Sequence, residues 1–264
     1  MAYTHGHHES VLRSHTWRTA ENSCAYLLPH LRAGQSLLDV GCGPGTITGD
    51  LALLVAPGEV LGVDAAADVV AQAHEHARTL GLANLRFEAG DLFGLGYPDA
   101  SFDVVHLHQV LQHLADPVAA LVELRRLLRP GGLLAARDSD YRAFRWAPDD
   151  PLLDRWLELY LAVTAHNGHD ACIGPRLLGL AHQAGFGEVA VSSSTWTYAD
   201  AETRAWWGGL WADRVRYSRF ADQAKEYGLS DAAELEAVAG AFVRWADSDD
   251  GVFVVPHVEI VARG

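Results

Sequence analysis

A glycine-rich turn between an apolar strand and a helix constrains this chain more than any other feature. Residues 37–45 read Leu-Leu-Asp-Val-Gly-Cys-Gly-Pro-Gly, and residues with the composition of a helix follow from Thr46. Glycine lets the backbone turn sharply and lets a ligand approach the main chain, and the helix start behind it offers unpaired N–H groups. This order of elements is typical of a doubly wound α/β sheet that holds an adenosine-type cofactor at its carboxyl edge.

The spacing of the glycines distinguishes two classes of adenosine cofactor. The dinucleotide fingerprint Gly-x-Gly-x-x-Gly needs a third glycine where this chain has Thr46. The run Asp39-Val-Gly-Cys-Gly-Pro-Gly instead resembles the first motif of class I methyltransferases, which use S-adenosylmethionine. In that family the loop lies along the methionine and ribose part of the cofactor, and the acidic residue orients it through the backbone or water. The resemblance implies cofactor contacts from Asp39, Gly41, Cys42 and Gly43.

Three further segments follow in the order that this family has. The apolar strand at 60–63 ends at Asp64, where an acidic side chain can accept hydrogen bonds from both ribose hydroxyls. A strand near 85–89 runs into Gly90-Asp91-Leu92, and in the family this aspartate contacts the adenine amino group while the next backbone N–H contacts the ring. A strand at 101–105 leads to the segment His-Gln-Val-Leu-Gln-His-Leu at 108–114.

The resemblance covers about residues 35–140 and is nearest to the small-molecule methyltransferases of ubiquinone and menaquinone biosynthesis. It implies S-adenosylmethionine as the cofactor and leaves the methyl acceptor open. Beyond the glycine loop, the cofactor contacts that it implies are Asp64, Ala65, Gly90, Asp91, Leu92, His108, Gln109 and His113.

The later strands complete the pattern of this fold. Apolar or alternating segments at 133–136, 189–198 and 252–261 are predicted strands. In the fold of the family that the chain resembles, the seventh strand runs antiparallel between the fifth and sixth. The resemblance thus implies an α/β, Rossmann-like, seven-stranded sheet in the order 3-2-1-4-5-7-6, with the last strand antiparallel. We also expect the helix before the fifth strand to end within 128–132, and residues 138–141 to lie beyond that strand.

We expect one methyltransferase domain across residues 1–264. In related methyltransferases a leader of this kind folds over the cofactor. The resemblance thus implies that residues 1–34, with a helix over 21–31, form an N-terminal lid and residues 35–140 the cofactor-binding core. Apolar residues at helical spacing predict helical cap insertions at 141–174 and 200–250.

Charge and composition exclude several classes of partner. The net charge is −14 with a single lysine, Lys225, so the chain lacks the basic footprint of nucleic-acid or anionic-membrane binding. It has no apolar run long enough for a membrane span, and its polar first residues are unlike a signal peptide. Its three cysteines are far apart, which favours a reducing, cytoplasmic setting. We expect a monomer or homodimer.

Histidines are the candidates for general acid–base catalysis. Methyl transfer from a sulfonium needs the acceptor positioned and water excluded, and it needs a base only if the acceptor loses a proton. His108 and His113 follow the fourth strand, and His166 lies in the first insertion. Alternatively, His108 contacts the cofactor and His113 packs nearby. No carboxylate cluster for a divalent cation is evident, so we expect no metal.

Two further features have both a structural and a functional interpretation. Arg18 could pair with the methionine carboxylate of the cofactor or could be a surface residue on a packing helix. Trp206, Trp207 and Trp211 repeat at helical spacing. They are either core or the wall of a pocket for an aromatic or amine-bearing acceptor.

The sequence therefore predicts transfer of a methyl group from S-adenosylmethionine to a small organic molecule without a metal. The alternative is a protein of the same fold that binds this cofactor without transferring methyl, in a cyclase or binding role.

Overall fold

The computed structural model describes residues 15–264, which form two compact units. Residues 1–14 of the predicted lid lie outside this range, and the prediction of one domain stays a prediction. We call the two units the sheet unit and the helical unit. The sheet unit comprises His15–Asp138, Ile173–Ser194 and His257–Gly264, and the helical unit comprises Ser139–Cys172 and Thr195–Pro256.

Strands and helices alternate through the first half of the chain. The strand β1 (Leu37–Val40) is buried along its whole length and pairs in parallel with both β2 (Val60–Asp64) and β4 (Phe102–His108), which explains its mostly apolar sequence. In chain order the elements are α1 Ala20–Cys24, β1 Leu37–Val40, α2 Thr46–Val55, β2 Val60–Asp64, α3 Ala67–Leu80, β3 Leu85–Ala89, β4 Phe102–His108, α4 Pro117–Leu127 and β5 Leu128–Ser139.

The second half of the chain carries the remaining strands and most of the longer helices. The second predicted insertion, residues 200–250, contains the last three of these helices. In chain order the elements are β6 Arg145–Ala147, α5 Pro151–His166, α6 Leu177–Gln183, β7 Val189–Tyr198, α7 Ala201–Tyr217, α8 Arg219–Glu226, α9 Ala232–Asp247 and β8 Val252–Arg263.

The predicted fold class is confirmed, with one strand more than expected. The sheet order is β3-β2-β1-β4-β5-β8-β6, and β7 also pairs with β8. The Gly264 N–H donates to the Gly132 carbonyl, so the end of β8 lies beside the start of β5 and the two strands are antiparallel, as predicted. The additional strand, β6, has only three residues and pairs antiparallel with β8. A strand this short shows no periodicity in the sequence.

Three element boundaries differ from the prediction. The helix α4 ends at Leu127, and β5 begins at the next residue rather than after 132. The strand β5 continues to Ser139, so residues 138 and 139 lie within it. Residues 15–34, the described part of the predicted lid, are called the leader segment below. In place of the helix predicted at 21–31, the leader segment has the short α1 followed by a 3-10 helix at Leu28–His30, because Pro29 lacks the N–H that an α-helix would need.

Both faces of the sheet unit are covered by apolar helix faces. Leu121 and Leu124 of α4 are fully buried on one side, in a cluster with Leu107 of β4. Leu51 and Val55 of α2 are fully buried in a separate cluster that includes residues of the leader and of β1. This packing fixes the strands whose carboxyl ends carry the predicted site.

The helical unit has an aromatic core. Trp156 is fully buried, and its ring meets Trp211 and Phe242 edge to face at 4.5 and 5.1 Å between centroids. Such pairs stabilise a core beyond the area that they bury. Trp207 and Trp211 are buried in this core, which matches the structural interpretation of the tryptophan stripe, and Trp206 is half-buried. None of the helices in the described range is long and apolar enough to cross a bilayer.

Candidate functional site

The glycine loop after β1 adopts a backbone that only glycine takes without strain. Gly41, Gly43 and Gly45 have φ values of +69°, +55° and +81°. A Cβ at Gly41 would overlap Val110, and one at Gly45 would lie 2.5 Å from the Phe87 ring. At Gly43 the nearest atom to such a Cβ is 3.7 Å away, on His15. Packing therefore fixes both ends of the loop and leaves its middle open to close approach.

Asp64, at the end of β2, holds this loop. One carboxylate oxygen accepts from the Gly43 N–H at 3.0 Å, and the other accepts from the Ala66 N–H at 3.0 Å. A carboxylate offers about four lone-pair positions, so each oxygen keeps capacity for a ribose hydroxyl. The neighbouring Ala65 is exposed. Asp64, which is predicted to bind the ribose of the cofactor, thus also shapes the glycine loop that is predicted to lie along the methionine part.

Asp39, at the end of β1, is occupied by protein partners. Its oxygens lie 2.7 Å from His106 Nδ1 and 2.5 Å from the Thr48 hydroxyl, which donates to it. Burial lowers the pKa of His106, but the Asp39 carboxylate outweighs this and raises the pKa to about 10. At neutral pH His106 is therefore an imidazolium that ties β4 to β1, while Thr48 ties α2 to the same carboxylate. An indirect role of Asp39 in holding a cofactor stays a prediction.

The segment after β3 lies beside the end of β2. The Gly90 N–H donates to the Asp64 carbonyl at 3.0 Å. Asp91 is exposed, and its carboxylate caps a short 3-10 helix by accepting from the Phe93 N–H at 3.0 Å, while Leu92 is buried in the core. The structure thus brings the two predicted acidic segments together at one edge of the sheet.

The carboxyl end of β4 carries a strained glutamine between polar partners. Gln109 has φ +55°, a conformation that costs a non-glycine residue roughly 1–2 kcal/mol, and strain of this kind recurs at active sites and ligand clamps. Its side-chain oxygen accepts from Arg18 at 2.6 Å, and its side-chain nitrogen lies 2.8 Å from His257 Nε2. The predicted residues Arg18 and Gln109 therefore meet, and His257 joins them.

His108 precedes this glutamine and is neutral at neutral pH. Burial lowers the pKa of His108 well below its ordinary value, and the positive charges of Arg18 and Arg137 lower it further. Its ring is stacked with that of His257 at 6.3 Å between centroids. The predicted proton acceptor is therefore a weak base that sits among hydrogen-bonding groups.

The other two candidate histidines have different surroundings. His113 is half-buried, with Nε2 3.2 Å from the Gln112 side-chain nitrogen, and the Gln112 N–H donates to Asp138. His166 belongs to the helical unit, where its exposed ring stacks on Tyr227 at 3.7 Å between centroids. Catalytic roles for both histidines stay predictions. Within residues 15–264 no three His, Cys, Asp or Glu side chains are grouped so as to hold a metal ion.

Two residues of this site were missed by the sequence interpretation. His106 stands opposite Asp39 in the parallel register of β4 and β1, between the buried apolar residues Val105 and Leu107. His257 is fully buried on the inward face of the alternating strand β8. A histidine at a buried position of a strand is the signal that could have identified both.

Comparison with known proteins gives consistent matches. A family profile described as a methyltransferase domain matches residues 31–173. An uncharacterized methyltransferase of Schizosaccharomyces pombe is 35% identical over 271 residues, which cover 100% of this chain and 96% of the relative. A probable methyltransferase of Aspergillus luteorubrus is 30% identical, over 98% of this chain and 96% of the relative. The crystal structure of a putative methyltransferase from Bacillus halodurans shares the fold, with a TM-score of 0.59, 20% identity, and coverage of 90% of this chain and 97% of that one.

Proposed function

Because the chain belongs to the class I, S-adenosylmethionine-dependent methyltransferases, we propose that it transfers a methyl group from this cofactor to a small organic molecule. S-adenosylhomocysteine is the by-product. The observation that carries the proposal is the loop between β1 and α2, which has three left-handed glycines and is held by Asp64. This arrangement suits an adenosine cofactor at the carboxyl edge of the sheet.

The residues around the loop fit the parts of the cofactor. We assign the methionine and ribose to the main chain of Gly41–Gly43 and to the Asp64 carboxylate, which has two acceptor positions left. Asp91 and Leu92, beside Asp64, are assigned to the adenine. When bound, the cofactor supplies a methyl group already activated on a sulfonium. The protein has then to orient the acceptor and exclude water, and orientation can contribute up to about 7–11 kcal/mol to lowering the barrier.

His108 supports an acceptor that presents a neutral hydroxyl or amine. A neutral imidazole accepts a hydrogen bond from such a group and adds no positive charge near a cationic methyl donor. Because the pKa of His108 is depressed, it is poorly suited to strong general-base catalysis. We therefore assign His108 to orienting the acceptor and to receiving a proton only if the product releases one.

Calorimetry followed by a transfer assay tests the proposed function. The protein should bind S-adenosylmethionine and S-adenosylhomocysteine but not NAD, and a label on the donor methyl should appear in a small molecule. Tight NAD binding without S-adenosylmethionine binding would overturn the proposal. Cofactor binding without labelled product across varied hydroxyl and amine acceptors would favour the alternative, a non-transferring protein of the same fold.

A further inference from the structure

A chain of three polar side chains crosses the carboxyl end of the sheet unit. Arg18 Nη2 donates to the Gln109 side-chain oxygen at 2.6 Å, and the Gln109 side-chain nitrogen lies 2.8 Å from His257 Nε2. The three residues come from the leader, the end of β4 and β8. Arg18 and Gln109 are half-buried and His257 is fully buried, so water competes little for the inner bond.

The direction of these hydrogen bonds determines the tautomer of His257. A guanidinium only donates, so the oxygen of the Gln109 amide must face Arg18. The amide NH2 then faces His257, and because it also only donates, His257 Nε2 must be the unprotonated nitrogen. His257 is therefore neutral, with its proton on Nδ1.

The leader segment that carries Arg18 is attached beside the glycine loop. The Thr46 hydroxyl, at the start of α2, donates to the His15 carbonyl at 3.2 Å. The Ala20 N–H donates to Asp50 of the same helix at 2.8 Å. These contacts hold residues 15–20 on the helix that follows the cofactor loop. Arg18 reaches Gln109 from this docked segment, so its contact depends on the segment being in place.

We propose that Arg18, Gln109 and His257 form a polarised relay that couples docking of the leader segment to the tautomer of the histidine pair beside the reaction site. With Arg18 docked, the Gln109 amide has one orientation and His257 stays neutral against His108. Without Arg18, the amide can rotate, and its orientation no longer fixes the tautomer of His257. The three are positioning residues that act through His108, and this role rests on the proposed function.

The relay limits the positive charge near the cationic methyl donor. The cofactor carries a positive sulfonium, and Arg18, Arg137 and the His106 imidazolium already place positive charge near His108. An imidazolium at His108 or His257 would add a further cation to this group. The relay prevents this at His257 through hydrogen-bond polarity, and burial prevents it at His108. Gln109 has a strained left-handed backbone conformation, and in this conformation its side-chain amide contacts both Arg18 and His257.

Nitrogen NMR of the full chain, with 15N-labelled histidine, tests the relay directly. In the wild-type protein the His257 signals should show a protonated Nδ1 and an unprotonated Nε2. In Gln109→Glu, the nearly isosteric carboxylate accepts from both neighbours, so His257 Nε2 should become protonated. Arg18→Met should give a mixture of His257 states, whereas Arg32→Met, which removes an exposed leader arginine that donates to the backbone carbonyls of Pro29 and Leu31, should leave His257 unchanged.

The outcomes separate the relay from the proposed function. A protonated Nε2 on wild-type His257 overturns the relay whether or not the variants fold, and so does a Gln109→Glu protein that folds and leaves the tautomer unchanged. In methyl transfer, Arg18→Met should lower kcat about tenfold and the affinity for neutral S-adenosylhomocysteine by less than threefold; equal losses in both would mean that Arg18 only holds the cofactor. Failure of methyl transfer in the wild type would overturn the proposed function but not the tautomer result.

Discussion

At the scale of single residues, the acidic side chains at the strand ends have structural roles in addition to their predicted contacts with the cofactor. Asp64 accepts from two backbone N–H groups and shapes the glycine loop. Asp39 is held by His106 and Thr48 and joins β1, β4 and α2. Substitution of either residue should therefore change more than one property, and the two properties can be measured separately.

Removing the Asp64 carboxylate should weaken cofactor binding strongly. Asp64→Ala should lower the affinity for S-adenosylmethionine at least tenfold in calorimetry, because hydrogen bonds to a charged group contribute about 1.5–3 kcal/mol each. Glu75→Ala is the control, since Glu75 is exposed and pairs with Arg78 on α3. An unchanged affinity in Asp64→Ala would show that the ribose contact has been misplaced.

The buried His106–Asp39 pair should make stability depend on alkaline pH. The folded pKa of His106, about 10, lies above its ordinary value, so its stabilisation is complete below pH ~6.5 and is lost as the pH rises through the folded pKa. In urea unfolding between pH 6 and 10.5, the stability advantage of wild type over His106→Gln should shrink by a few kcal/mol. An advantage that stays constant or grows with pH contradicts the ion pair.

At the scale of elements, packing divides the glycine loop into supporting and ligand-facing positions. Gly45 is enclosed by Phe87 and Ala73, which would lie 2.5 and 3.1 Å from a methyl carbon added at this glycine, whereas the nearest atom to one added at Gly43 is His15 Nδ1, at an ordinary contact distance of 3.7 Å. Both have positive φ, so alanine brings backbone strain at each. The difference between the two substitutions therefore isolates the effect of the space that a ligand would occupy.

Alanine at these two glycines should have contrasting effects. Gly45→Ala should lower the free energy of unfolding by roughly 1–3 kcal/mol through overpacking against Phe87. Gly43→Ala should cost less stability yet weaken S-adenosylmethionine binding more than tenfold, since its methyl group enters the space assigned to the cofactor. Thermal unfolding and calorimetry on both variants provide the comparison. Wild-type cofactor affinity in Gly43→Ala would place the cofactor elsewhere.

The elements that sequence could predict are those with a repeated local signal. The βα units up to β4 have apolar strands followed by turn residues. Asp116 followed by Pro117 is a recognisable helix start, and α4 begins there, with Asp116 as its N-cap. The three-residue β6 has no period, and the start of β5 directly after α4 depends on pairing with β4. His257 could not be joined to Gln109 from sequence, because 148 positions separate them and only the sheet brings them together.

At the scale of the whole molecule, the chain divides its apolar content between two kinds of core. The sheet unit is packed mainly with aliphatic side chains. The helical unit relies on contacting aromatic rings around Trp156, and neighbours from α5, α7, α9 and β8 meet there. The sequence left open whether the tryptophan stripe is core or the wall of a pocket. In the structure Trp207 and Trp211 are buried in the core of this unit.

Truncating the central tryptophan should destabilise the helical unit severely. Trp156→Ala should cost about 3–5 kcal/mol in the free energy of unfolding, because the ring is fully buried and leaves a large cavity. Trp206→Ala, at a half-buried position, serves as the matched comparison and should cost clearly less. Denaturant unfolding followed by tryptophan fluorescence and circular dichroism measures both. Equal losses would contradict the aromatic core described for this unit.

The proposed function depends on binding of S-adenosylmethionine by the loop after β1 and the ends of β2 and β3. A crystal structure of the protein with S-adenosylhomocysteine tests it most directly. We expect the ribose hydroxyls on Asp64, the adenine beside Asp91 and Leu92, and the amino-acid part along Gly41–Gly43. Density for the ligand at another edge of the sheet, or a ribose that does not reach Asp64, would contradict it.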